Sequence, residues 1–161
     1  MSLMTKPRAL LVAAVATLGF LATTGVVAVA DPPGNNGTIK VDGIPFDQHV
    51  DNEPHVGCTF EVDFYGYDLG VGNATVTFIV QPPTGRDIVL LTDNTINIGQ
   101  DPAGGGTDLD AERSYNISSA LQMFMAHPNQ GYHVKLKVNA PGSIGKDTKY
   151  KVFWVTGCGG Y

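Results

Sequence analysis

Between residues 58 and 65 the chain alternates without a break, with Cys58, Phe60, Val62 and Phe64 on one parity and Thr59, Glu61, Asp63 and Tyr65 on the other. A period of two fits an extended strand with one set of side chains in a core and the other towards water. The same period returns along the chain. Residues 38–42 alternate, and Val76, Phe78 and Val80 oppose Thr75 and Thr77. Ile96 and Ile98 share one parity, and Tyr132, Val134, Leu136 and Val138 oppose His133, Lys135 and Lys137. Tyr150, Val152 and Trp154 are set against Lys149, Lys151 and Phe153. Short segments at 88–91 and 114–117 read as further strands. Gly, Pro and Asn clusters at 70–73, 81–85 and 140–145 supply the turns. The last of these makes 132–138 and 149–155 an antiparallel hairpin. Only 118–126 has helical spacing, in Leu121, Phe124 and Met125, and it is one or two turns long. The pattern predicts an all-β fold, an antiparallel immunoglobulin-like (Greek-key) sandwich of about seven or eight strands. Trp154 precedes Cys158 by four residues rather than lying between the cysteines in the usual place, so an antibody-type domain is not expected.

The first thirty residues carry an address. Lys6 and Arg8 are followed by an uncharged stretch from 9 to 30, which ends in Ala28-Val29-Ala30 before Asp31. A positive start, an apolar run and an Ala-x-Ala site form a cleavable secretory signal peptide with its cut between Ala30 and Asp31. Thr17, Gly19, Thr23, Thr24 and Gly25 dilute the run, and no aromatic or basic belt closes it, which disfavours a retained membrane anchor. Residues 31–37, Asp-Pro-Pro-Gly-Asn-Asn-Gly, read as a flexible arm. Residues 38–161 then form one domain.

Beyond Ala30 stand eight basic and 15 acidic residues, a net charge of −7. That balance argues against a nucleic-acid partner and against an anionic membrane surface. Cys58 and Cys158 are the only cysteines. In an exported domain two lone cysteines are most simply one disulfide. Closing a loop that long removes about 4–5 kcal/mol of unfolded-chain entropy. Two cysteines also exclude a four-cysteine zinc or iron–sulfur centre.

Candidate chemistry is sparse. Asp47, His49, Asp51, Glu53 and His55 fall at every second position of a polar loop. Two imidazoles with carboxylates are zinc-type ligands, so this loop is where a small metal-dependent hydrolase would have its centre. Asp108, Asp110 and Glu112 follow a glycine run and offer hard oxygen ligands to calcium, although the EF-hand pattern fails. No Gly-x-Ser-x-Gly elbow or His-Glu-x-x-His motif occurs. No catalytic residue is assigned. Tyr65, Tyr67 and Tyr132 are candidates for an aromatic platform that stacks on a sugar or peptide.

Several stretches together resemble a known family. They include Asn52-Glu53-Pro54-His55-Val56-Gly57-Cys58, Val62-Asp63-Phe64-Tyr65-Gly66-Tyr67, 127–136 and Val152-Phe153-Trp154-Val155-Thr156-Gly157-Cys158. They resemble a family of small exported actinobacterial proteins, some of them anchored to the cell wall. The resemblance implies export and brings no activity with it. Some members carry a Leu-Pro-x-Thr-Gly sortase signal, whereas this sequence ends in Gly-Cys-Gly-Gly-Tyr, so release or loose envelope association is expected. The reading is a secreted or cell-envelope-associated module that binds or supports without catalysis and needs no cofactor. Its expected partner is a cell-wall glycan or an extracellular protein. The alternative is the metal-dependent hydrolase on the 47–55 loop, with calcium or zinc as its metal.

Overall fold

The computed structural model describes residues 34–47, 49–102 and 104–158. The signal peptide, its Ala28–Ala30 cleavage site and Asp31 lie outside the described residues. Eight strands and one short helix follow in order: β1 (Thr38–Asp42), β2 (His55–Val56), β3 (Thr59–Tyr65), β4 (Asn73–Val80), β5 (Ile88–Asn97), β6 (Leu109–Asn116), α1 (Ser118–Leu121), β7 (Tyr132–Asn139) and β8 (Thr148–Val155). They form two sheets. One is three-stranded, in the order β1-β3-β6, and the other five-stranded, in the order β2-β8-β7-β4-β5.

The alternation that defines each strand also defines the core. Phe60, Val62 and Phe64 of β3 turn inward, as do Val76, Phe78 and Val80 of β4 and Val134, Leu136 and Val138 of β7, all without exposed surface. Rings from the two sheets meet edge to face, Phe60 lying 5.3 Å from both Phe78 and Phe153. Each such side chain contributes about 1.5–3 kcal/mol by leaving water.

The hairpin expected from 132–138 and 149–155 is present, with Tyr132 opposite Val155 and Asn139 opposite Thr148. The other pairings are antiparallel too, except one: β2 runs parallel to β8, with His55 beside Trp154. This short strand was not expected from the sequence. Trp154 N donates to Pro54 O and Thr156 N to Val56 O, both at 2.9 Å. The segments at 88–91 and 94–98 join into the single strand β5, whose pairing with β4 slips twice. β6 begins at Leu109 rather than Ser114 and takes up part of the acidic stretch expected as loop. The ambiguous 118–126 segment yields only the single turn α1.

The disulfide joins Cys58 to Cys158 with their Cα atoms 5.1 Å apart. It ties the entry of β3 to the chain just past β8, and so links the two sheets. The arm at 31–37 is not free at its end. Gly37 is buried, donates to Gly142 O at 3.0 Å and accepts from Ile144 N at 2.8 Å. A Cβ at Gly37 would collide with the Tyr67 ring, so this close approach requires glycine. No helix of the described residues is long and apolar enough to cross a membrane.

Candidate functional site

The polar parity of β4, β7 and β8 forms the outer face of the five-stranded sheet. Register places its side chains in rows. Val152 lies beside Lys135, Lys135 beside Ile79 and Ile79 beside Val89. In the next row Tyr150, Lys137, Thr77 and Thr92 follow one another. At the end of the face nearest β2, Trp154 sits between His55 and His133. Its indole stacks on the His133 ring at 4.5 Å and 22°, and the His127 ring approaches it at 5.9 Å.

This face carries exposed apolar side chains where a solvated sheet face is usually polar. Tyr150 is 57% exposed, Val152 52% and Val89 55%. Cations are interleaved with them. Lys137 is exposed, and Lys135 reaches Asp87 at 3.1 Å. The β7–β8 hairpin holds five lysines and one acid, Asp147, whereas residues 34–131 hold three basic residues against 13 acids. The parity at 150–154 and the lysines at 135 and 137 were visible in the sequence. Which parity of β8 faces out became visible only from its register with β7. A depression of about 240 Å³ is lined by His127, Asn129, Tyr132, Thr156 and Cys158 among others.

The expected aromatic platform is not there. Tyr65, Tyr67 and Tyr132 are 2%, 0% and 6% exposed, so none presents a ring to a ligand. Tyr67 belongs to the core, with its hydroxyl 2.9 Å from Ser143 Oγ and its ring 6.1 Å from Phe64. Tyr65 stays on the outward parity of β3, but it is buried there. Tyr132 opens β7 on the inward parity.

The 47–55 loop does not assemble into a metal centre. His49 N donates to Asp47 Oδ1 at 2.8 Å and its ring lies 3.5 Å from Asp47, which is an Asx-type local turn. Asp47 N in turn caps Asp42 Oδ2 at 2.9 Å. Asp51 is exposed, Glu53 N binds Val41 O, and His55 lies in β2 beside Trp154. Among the described residues, only Asp101, Asp108 and Asp110 bring three potential ligand atoms within 4.8 Å of one another. Of the expected calcium trio, Asp108 and Asp110 are therefore together and Glu112 is not. Glu112 pairs with Asp63 across the outer face of the three-stranded sheet. Asp101, seven residues before Asp108, takes the third place and was missed because the glycine run separates it from the other two.

Two carboxylates titrate well above the ordinary carboxylate range. Burial, then the nearby charges of Asp42, Glu61 and Glu112, push Asp63 up to about 7. Burial also raises Asp110 to about 6, opposed by the Tyr67 N–H and assisted by Asp108 and Asp101. On the other sheet, burial lowers Lys151, with Lys40 and Lys149 adding repulsion. No family model, curated protein or solved structure matches this chain.

Proposed function

We propose that the chain is a secreted or envelope-associated binding module without catalytic activity, and that the outer face of its five-stranded sheet takes an acidic polysaccharide. One observation carries this reading: Tyr150 and Val152 stay exposed beside Lys137 and Lys135, with the half-buried Trp154 next on the same face beside His133. Exposed apolar strips of this kind mark contact sites, since water gains nothing from them. Aromatic rings stack on the apolar faces of sugars, and an ammonium group meets a carboxylate or phosphate. Tyr150 and Trp154 are four residues apart on one strand, a span of about 13 Å, long enough to follow more than one sugar ring. The acidic remainder of the chain turns polyanions away, so the basic hairpin is where an anionic ligand is steered.

The disulfide fits an oxidising compartment, in keeping with the signal peptide expected at 1–30. We also read the two sheets as an immunoglobulin-like sandwich. In support, β1 pairs antiparallel with β3 in one sheet while β2 pairs parallel with the last strand of the other, so the N-terminal segment is shared between layers.

The test uses a uronate-containing oligosaccharide, its neutral counterpart and an acidic peptide of equal charge. The uronate is expected to bind with an affinity that falls as salt rises, and the neutral sugar to bind weakly or not at all. Trp154→Ala and Lys137→Glu should each weaken uronate binding at least about tenfold, or about 1.4 kcal/mol. Absence of uronate binding, or binding indifferent to both variants, overturns the proposal. Tighter binding of the peptide replaces the glycan with an acidic protein partner.

A further inference from the structure

We infer that Asp101, Asp108 and Asp110 form a calcium site at the junction of the 99–108 loop with β6. Three observations meet there. The first is spacing: one carboxylate oxygen from each residue lies within 4.8 Å of the other two. Calcium holds its oxygens at about 2.3–2.6 Å, so oxygens sharing one ion lie no more than about 5 Å apart. The trio satisfies that limit without rearrangement.

The second is an orphaned oxygen. Asp110 is only 9% exposed. Its Oδ2 accepts from Tyr67 N at 2.8 Å, but its Oδ1 is buried and has no hydrogen-bond partner among the described residues. A buried carboxylate oxygen without a donor is costly, and native proteins leave few of them. An oxygen of this carboxylate lies within 4.8 Å of oxygens of two other acids, so a cation is the partner that the surrounding charge calls for.

The third is that the loop is already tied in place by its backbone. Gly104 N donates to Asp108 Oδ2 at 2.7 Å, Asp108 N to Gly105 O at 2.9 Å, and Gly66 N to Asp108 O at 2.9 Å. A Cβ on Gly104 would sit 2.6 Å from Asp108 Oδ2, so the glycine run lets the chain close over the acid. Asp108 and Asp110 are thus fixed on β6 and its approach, and Asp101 brings the third carboxylate to them. The donors are all hard oxygens, which selects calcium or magnesium over zinc. Three carboxylates on a loop open to water suit the irregular, larger shell of calcium better than the strict octahedron of magnesium. The ion would pin the 99–108 loop to β6 and, through Tyr67 N, to the turn after β3.

The experiment is calorimetric titration of the chelator-treated chain with calcium chloride, alongside thermal unfolding with calcium and with magnesium. One calcium per chain is expected, in the affinity range of about 0.1–1 mM found for extracellular modules. Saturation should raise Tm by roughly 5–10 °C. Asp101→Asn, at an exposed position, should weaken binding at least about tenfold while leaving the calcium-free Tm no lower, since it relieves repulsion within the trio. Glu112→Gln should leave calcium binding unchanged. No heat and no Tm shift up to about 10 mM calcium overturns the inference. So does full calcium binding in an Asp101→Asn/Asp108→Asn double variant, or an equal response to magnesium. These readouts are independent of the glycan face, so either proposal can fail without the other.

Discussion

Asp63 shows how much one side chain can bear on stability. It lies on the polar parity of β3 and reads in sequence as a solvated residue, yet it is 3% exposed with Asp42, Glu61 and Glu112 as neighbours. Its carboxyl titrates at about 7 against 3.8 for the ordinary group. Between those values the folded chain keeps a proton that the unfolded chain releases. Its contribution to stability is therefore present at low pH and is lost as pH rises from about 4 to about 7. Asp63→Asn removes that loss. The variant should melt higher than the parent at pH 8, with the difference shrinking as pH falls towards 4, as followed by scanning calorimetry. A variant that melts lower at pH 8, with an unchanged gap at pH 4, would refute this. Tyr67 is a second case. Its hydroxyl is fully buried against Ser143 Oγ, which itself donates to Ala140 O at 2.8 Å. Tyr67→Phe leaves Ser143 short of a partner and should cost about 1–3 kcal/mol in urea unfolding. An unchanged midpoint would mean the hydroxyl pair contributes nothing. The three tyrosines of the expected platform were misread for one reason: parity gives a side chain's direction, not what lies over it.

At the scale of elements, legibility followed local pattern. Strands β1, β3, β4, β7 and β8 were readable because their alternation is uninterrupted and glycines or prolines bound them. Strand β2 was not, because two residues carry no period and their partner lies about a hundred positions away in β8. β5 read as two pieces because Thr92 and Asp93 break its apolar run. The fold accepts Asp93 on the inward side because Tyr115 Oη donates to it at 3.1 Å and Arg113 lies 3.6 Å away. The early part of β6 was hidden by its acids, of which Asp110 turns to the loop and Glu112 to the outer face. The disulfide was legible by counting alone, and it joins the entry of β3 to the chain just past β8, next to the β2–β8 pairing. Replacing Cys58 and Cys158 by Ala should cost roughly 2–5 kcal/mol. Amide exchange should then quicken first at Trp154 and Thr156, whose N–H groups bind the 54–56 segment. Uniform loss of protection across both sheets would place the cross-link's effect elsewhere.

Taken whole, the molecule is electrically two-sided. The three-stranded sheet carries Asp42, Glu61, Asp63 and Glu112 on its outer face, and the five-stranded sheet carries Lys135 and Lys137 among aromatic and aliphatic side chains. A net charge of −5 for the full chain conceals this division, which is why charge balance argued against nucleic acid and anionic membranes and not towards a polyanion. The proposed binding surface was half legible: its residues could be grouped by parity, but their exposure depends on which sheet covers which face. Trp154 is the chain's only tryptophan and lies within that surface, so its fluorescence reports on the surface alone. Titrating the intact protein with a uronate oligosaccharide at low salt should shift and saturate the Trp154 emission, with the change abolished by Lys137→Glu and reversed by added salt. An emission that stays constant while calorimetry records uronate binding would place the ligand elsewhere and contradict the assignment of this face.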